Sequence, residues 1–377
     1  MADNTTTKEI VDEVHIGVPE AGTVRVVTWN VNYDTRAELP HPVTKDYPWQ
    51  AFRWSERKGR VLRVLEELET ELSPDVICLQ ELRDESLSDI CAWVASRRTY
   101  DISYGRTNSG DQALCLATLW NKSRWLGSIS DVQWFSKNGT TSPMWNTLKE
   151  GNGFGRILTE TTLFPAAYPN PKIDVEGRSV KKSPSFTVYN VHMGLARAER
   201  LIESHTLAFE VKNSTKIYDP YDFYVVCGDF NTFPDDGGPE QMDLLDAGEL
   251  REHIPYPSPL RVADYDASRS GNKVLISTET TQGTHVPYPY DTFIRDKGLP
   301  TQKKCPNDGE YGSRLDHILH TAQLTATSTV LYLSTGTGVA PPNGCLRFDS
   351  SRKSPTFPSD HLPLIEDLCF GKGTDVD

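Results

Sequence analysis

The chain predicts an α/β fold of the α+β kind in one domain, and three observations lead there. Short β-branched runs alternate with amphipathic stretches from about residue 21 onward. Polar residues stand at the edges of those runs: Asn30, Glu81, His192 and Asp229 follow one, whereas Asp316 and the pair Asp360-His361 precede one. If the sheet contains antiparallel strands, the C-terminal end of one strand lies beside the N-terminal end of another, and such groups can share a single rim. Finally, proline and glycine gather in long loops rather than in a linker, and no internal repeat or low-complexity tract breaks the chain. Although 377 residues allow two domains by length, convergence of groups from residue 30 to residue 361 requires one. We expect it over 21–371, between polar tails at 1–20 and 372–377.

Taken in order, runs at 24–29, 76–79, 113–120, 156–163, 186–192, 224–227, 315–319 and 326–333 read as strands. Between the first two lies a helix over about 55–72, with Val61, Leu65, Leu68 and Leu72 on one face and Ser73-Pro74 as its stop. A second helix is expected over about 196–212, with Leu201, His205 and Phe209 on a stripe; His205 reads there as a packed helix residue and not as a ligand. Loops fall at 164–184, 232–239, 254–260, 283–300 and 334–358. Loops of that length in a compact domain are often binding loops.

Composition narrows the class. Hydrophobic residues make up 37% and charged residues 24%, so the chain should fold around a sizeable core. Its net charge of −13 excludes a surface that attracts nucleic acid as a whole, and leaves small phosphoesters open as substrates. Arg53, Arg57, Lys58, Arg60 and Arg63 form either a local basic patch or a solvated helix face. The 7 cysteines contain no C-x-x-C pair, which removes a zinc ribbon or redox motif. Neither a signal peptide nor a membrane span is readable, so a cytoplasmic monomer is expected.

In Val225-Val226-Cys227-Gly228-Asp229-Phe230-Asn231 an apolar run delivers two oxygen-bearing side chains two residues apart, behind a glycine. In extended chain, residues i and i+2 face the same side, so Asp229 and Asn231 can converge on a metal-activated water or a phosphate. Together with Asn30, Glu81, Asn190, Asp316, Asp360 and the histidines His192 and His361, they form a set rich in hard oxygen donors and free of cysteine. Such a set suits Mg²⁺, or Mn²⁺, and hydrolysis of a phosphoester.

The series Thr28-Trp29-Asn30, Leu79-Gln80-Glu81, Asn190-Val191-His192-Met193, Gly228-Asp229-Phe230-Asn231, Arg314-Leu315-Asp316-His317 and Ser359-Asp360-His361-Leu362-Pro363 resembles, in content and order, the endonuclease/exonuclease/phosphatase superfamily. The resemblance implies a DNase-I-like four-layer sandwich: two mixed, mainly antiparallel sheets face to face with helices outside. It also implies site roles. Glu81 would be the principal Mg²⁺ ligand, with Asn30 and Asp360 close to the metal; Asp229 would activate the water, and Asn231 would fix it or the phosphate. His361, oriented by Asp316, would stabilise the transition state, and His192 would contact the scissile phosphate or act as acid. Asn190 is expected on the substrate side.

Within that family, His192 stands where AP endonucleases have Tyr, and Ser313-Arg314-Leu315-Asp316 lacks the residues typical of inositol polyphosphate 5-phosphatases. The segment from Pro358 to Leu364 resembles the last motif of nocturnin-type deadenylases, and Gly283-Thr284-His285 falls where related hydrolases have a Gly-Thr-Phe loop. A phosphodiesterase or nuclease-like hydrolase is therefore favoured over a monoesterase. Arg156 is either a phosphate clamp or a surface arginine. Trp49, Trp54 and Trp145 either stack on a base or anchor loops.

Overall fold

Period-two alternation organises the molecule. In β7 (Ser185–His192), Phe186 and Val188 enter one hydrophobic core while Tyr189 and Val191 enter another. The same division holds in β8 (Asp222–Asp229), with Phe223, Val225 and Cys227 against Tyr224 and Val226, and in β10 (Asp316–His320), with Ile318 against Leu319. A sheet buried on both faces needs a layer on each side. One layer is the second sheet; the other includes Leu207 and Val211 of the helical residues between 200 and 211.

The structure, a computed structural model, describes residues 22–33, 53–106, 114–134, 156–166, 185–194, 222–232, 276–277, 316–321, 324–331, 348–349, 354–355 and 363–370, with 200, 203, 204, 207, 211, 359 and 361. The remaining strands are β1 (Thr23–Asn30), β2 (Val76–Leu82), β3 (Tyr100–Arg106), β4 (Cys115–Asn121), β5 (Trp125–Trp134), β6 (Ile157–Pro165), β9 (Ile276–Ser277), β11 (Leu324–Leu331), β12 (Phe348–Asp349), β13 (Ser354–Pro355) and β14 (Leu364–Phe370). One sheet runs β11-β14-β1-β2-β4-β3, the other β5-β6-β7-β8-β10-β9, and β12 pairs with β13. Helices α1 (Trp54–Glu67) and α2 (Asp84–Arg97) add Val61, Val64, Leu65, Ile90 and Trp93 to the first core. The expected sandwich of two mixed sheets with helices outside is the architecture found.

Each sheet has one parallel pair at its centre, and the rest of its pairings are antiparallel. β1 and β2 run parallel with Asn30 opposite Gln80, and β7 and β8 run parallel with His192 opposite Asp229. β10 returns antiparallel to β8, which sets Asp316 opposite Asp229. The polar strand ends from both sheets therefore meet on one rim, as the antiparallel argument allowed. Gly228 is necessary for this: it has φ +150°, and a Cβ there would stand 1.9 Å from the carbonyl oxygen of Val191.

Each of the eight expected strands is present, with shifted ends. The first helix begins one residue early at Trp54, and after Glu67 it widens into a π turn, Leu68–Leu72, that ends at Ser73 with φ +45°. In the second helix, Arg200, Glu203, Ser204, Leu207 and Val211 are buried; Leu201, His205 and Phe209 lie outside the described residues. So do most of the expected loops, Gly283-Thr284-His285, Trp49, Trp145 and Arg314. The basic cluster is divided, with Arg53 and Arg63 exposed. Arg57 is buried and donates to the carbonyls of Val31 and Asn32, while Lys58 pairs with Asp89 at 2.6 Å. Trp54 is a packing anchor, buried and donating its Nε1–H to Asp89 at 2.8 Å. Among the described residues, no helix is long and apolar enough to cross a membrane, and Cys78, Cys91, Cys115, Cys227 and Cys369 are free thiols.

Candidate active site

Asn30 ends β1 with its side chain fully buried between the sheets. Its amide nitrogen donates to Glu81 Oε1 at 2.9 Å and to Asp229 Oδ2 at 2.8 Å. Its amide oxygen accepts the N–H of Asn32 at 2.9 Å. One amino group thus stands between carboxylates from the two sheets.

Glu81 reaches this point through a break in the alternation. Gln80 faces the space between the sheets, so regular strand geometry would turn Glu81 to the opposite face. The β2–β4 register, however, steps from Leu79↔Ala117 to Leu82↔Cys115, a bulge of one residue, and Glu81 takes φ +58°. A left-handed residue in a bulge re-aims its side chain. Glu81 Oε2 is then held by the Tyr33 N–H at 3.0 Å.

The chain after β8 also leaves the extended form. Asn231 has φ +51°, and its N–H donates to Asp229 Oδ1 at 2.8 Å while its side-chain amide donates to the Met193 carbonyl at 2.9 Å. The expected same-side convergence of Asp229 and Asn231 is replaced by an Asx turn in which Asn231 clamps the carboxylate. Burial pushes the Asp229 carboxyl up to about 7; Asp316 and Glu81 add to this, whereas His361 and the Asn231 N–H oppose it.

Two imidazoles flank Asp229 Oδ2. His192 Nε2 lies 3.7 Å from it and 3.4 Å from Glu81 Oε1; His361 Nε2 lies 3.9 Å from it. His361 Nδ1 is 2.7 Å from Asp316 Oδ2, a contact that fixes the ring. Arg156 Nη1 lies 2.9 Å from Nδ1 and 3.3 Å from Nε2 of His192. Burial, then the Arg156 and His361 charges, hold His192 well below the usual histidine range, so the ring is neutral and accepts from the guanidinium.

Eight of the ten site residues expected from sequence are gathered here: Asn30, Glu81, Arg156, His192, Asp229, Asn231, Asp316 and His361. Asn190 sits one layer deeper. Its Oδ1 accepts from Gln80 Nε2 at 2.8 Å, and its Nδ2 donates to the carbonyls of Ala117 at 3.0 Å and Leu79 at 3.3 Å, so its polar atoms bridge the sheets instead of facing the rim. Asp360 lies outside the described residues. Other groups hold the site without having been singled out. Ser359 Oγ donates to the Asn30 carbonyl at 2.7 Å and accepts from the His361 N–H at 3.1 Å, and Trp29 Nε1–H donates to the His361 carbonyl at 3.0 Å. Both residues stand inside the quoted motifs, which was the available signal. Tyr33 acts through its backbone N–H, which its side-chain type does not reveal.

Ligand atoms of Glu81, His192 and Asp229 lie within 4.8 Å of one another, as do those of Asp229, Asp316 and His361. The donors fit a hard divalent cation, because they are carboxylate oxygens and imidazole nitrogens, and Glu81 Oε1 and Asp229 Oδ2 already converge on one hydrogen-bond donor, the Asn30 amide.

Comparisons with known proteins identify the family. The chain is 24% identical over 387 residues to carbon catabolite repressor protein 4 homolog 2 of Arabidopsis thaliana; the match takes in 93% of this chain and 58% of that relative's length. A solved endonuclease/exonuclease/phosphatase from Bacteroides vulgatus superposes with TM-score 0.55 at 17% identity, over 92% of this chain and 99% of that one. ANGEL2, a 2',3'-cyclic phosphatase solved with adenosine-2',3'-vanadate, gives TM-score 0.55 at 17% identity, over 92% and 96% of the two chains. The family model described as endonuclease/exonuclease/phosphatase family matches residues 27–361, a span that begins in β1 and ends at His361 and so encloses every group on the rim: the chain belongs to that family.

Proposed function

We propose that the protein is a Mg²⁺-dependent phosphodiesterase acting on a nucleotide, an oligonucleotide or another phosphodiester, with Mn²⁺ as a substitute, and that one catalytic domain over 21–371 carries the activity. The observation behind this reading is the meeting of Glu81, from one sheet, with Asp229, from the other, beneath two histidines. Glu81 would hold the metal, with Asn30 and Asp360 beside it. When bound, the metal supplies a Lewis acid that polarises a phosphoryl oxygen and offsets charge on the leaving oxygen. Asp229, at about 7, is matched to taking a proton from water near neutral pH. Its Oδ1 accepts the Asn231 N–H and its Oδ2 accepts one Asn30 amide N–H, so the proton would be taken on the remaining lone pair of Oδ2.

His361 Nε2 faces that rim with its ring set by Asp316, placed to donate to charge developing on phosphorus-bound oxygen. His192 contacts the scissile phosphate, and Arg156, within reach of His192, pairs with a non-bridging phosphate oxygen. The Arg156 guanidinium would match one negative charge on the phosphate. ANGEL2's description as a 2',3'-cyclic phosphatase adds cyclic phosphodiesters to the candidates.

The test is a substrate panel run with and without EDTA: bis(p-nitrophenyl) phosphate, the mono-ester, a 2',3'-cyclic nucleotide, single-stranded RNA and DNA. Diester turnover abolished by EDTA and restored by Mg²⁺ or Mn²⁺ is expected, with Asp229→Asn slower by roughly 10² to 10⁴. Preference for the mono-ester would overturn the diesterase assignment, and EDTA-resistant turnover would overturn the metal.

A further inference from the structure

We propose that the amide pair Gln80–Asn190 is a positioning device that sets the distance between the two halves of the site, an inference that rests on the functional reading above. Gln80 Nε2 donates to Asn190 Oδ1 at 2.8 Å, across the gap between the sheets, and to Thr28 Oγ1 at 3.0 Å within its own sheet. Asn190 Nδ2 returns across the gap to the carbonyls of Ala117 at 3.0 Å and Leu79 at 3.3 Å. Thr28, Gln80 and Asn190 are fully buried. The pair therefore ties β1, β2 and β4 of one sheet to β7 of the other.

Its place in the strands gives the pair its effect. Gln80 immediately precedes Glu81, Thr28 lies two residues before Asn30, Asn190 lies two residues before His192, and Asn190 is opposite Cys227, two residues before Asp229. Of the strands it grips, β1, β2 and β7 each carry a site residue just beyond the gripped position, Asn30, Glu81 and His192. Apolar packing alone leaves stacked sheets free to settle at slightly different separations, because hydrophobic contact is not directional. Hydrogen bonds across the gap fix both separation and slide. The device is not there for stability alone: among the described residues Gln80 Oε1 meets no donor although it is buried, a cost that an apolar side chain of the same shape would avoid. What the amides add is a fixed span at the level where Glu81 Oε1 and Asp229 Oδ2 must both reach one partner.

The experiment compares Asn190→Ala and Gln80→Met with Val188→Ala, a fully buried position on β7 one layer further from the rim. For each we would measure melting temperature, kcat and KM on bis(p-nitrophenyl) phosphate with Mg²⁺, and Mn²⁺ affinity by electron paramagnetic resonance. All three should melt lower than wild type. Asn190→Ala and Gln80→Met should lose about 10²-fold in kcat with little change in KM and bind Mn²⁺ more weakly, because misplacement by about 1 Å costs that much; Val188→Ala should keep both. The exchange Gln80→Asn with Asn190→Gln restores an amide pair and should recover part of the loss. If Asn190→Ala and Gln80→Met matched Val188→Ala in kcat and Mn²⁺ affinity, the pair would be merely structural. If the wild type turned over no diester, the functional reading would fail, and Mn²⁺ affinity would still decide: equal values across the variants would overturn the positioning role.

Discussion

Burial of Asp229 beside Asp316 and Glu81 raises its carboxyl to about 7, and that shift has a sign for stability as well as for catalysis. The native state holds a proton there that the unfolded chain releases near the ordinary carboxylate value of about 4. Wild-type stability, measured against Asp229→Asn in EDTA, should therefore fall as pH rises from about 4 to about 7 and level off above. Paired thermal melts across that range check it, and a difference that stayed constant would contradict the shift. Glu81 makes the opposite exchange. It holds φ +58°, a conformation that costs a residue with a Cβ about 1–2 kcal/mol. Glu81→Gly should melt no lower than wild type while losing metal-dependent turnover by at least 10²-fold. These two residues were legible as site residues because a polar group after an apolar run is visible in the sequence. Their backbone was not: the left-handed turns at Glu81 and Asn231 follow from the bulge and the Asx turn, and residue type alone does not signal either. Asn190 shows the same limit, since strand alternation faces it and His192 the same way and only depth separates a strut from a rim residue.

Elements that the sequence concealed share a cause in their composition. β3 (YDISYGR) is an edge strand with polar residues on both sides, and β14 (LIEDLCF) carries Glu366 and Asp367 in the middle of an apolar run. Asp367 is tolerated because Arg25 pairs with both its oxygens, at 2.6 and 2.7 Å, a partner 342 residues away that local pattern cannot show. α2 does carry Leu87, Ile90 and Val94 at helical spacing, but Ala92, Trp93 and Ala95 extend the apolar run around it, and Ser86 and Asp84 occupy its first turn. By contrast, β7 and β8 declared themselves through β-branched runs buried on both faces. Their pairing supplies an element-level prediction. Gly228→Ala places a Cβ 1.9 Å from the Val191 carbonyl oxygen and must spread the parallel pair. The variant should lose more than about 1 kcal/mol in denaturant unfolding, and kcat should fall with it, because Asp229 is the next residue. A stable variant of undiminished kcat would show that the two strands can separate without disturbing the rim.

At the scale of the molecule, the two ends of the sandwich divide the work. The proposed chemistry belongs to the rim. At the other end of β1, fully buried Asp75 accepts the Arg25 N–H, Arg124 Nη1 and Trp125 Nε1–H, each at 2.8 Å. Arg25 also donates to the Leu72 carbonyl at 2.9 Å, and Arg124 to the Thr23 carbonyl at 2.8 Å. This network ties the end of the first helix, β1, β5 and β14 together about 16 Å from Asn30, at about 3.3 Å per strand residue. Removing Asp75 leaves the Arg25 and Trp125 N–H groups and the Arg124 guanidinium without their acceptor, so Asp75→Ala should cost roughly 3–5 kcal/mol. Its kcat per folded molecule, measured well below the melting midpoint, should stay at the wild-type value, because the Gln80–Asn190 pair and the alternating apolar layers between the two ends remain in place. A loss of kcat in Asp75→Ala comparable with that of Asn190→Ala would mean that the sheets move as one rigid unit, and that spacing at the rim is set by the whole sandwich instead of by the layer just beneath the site.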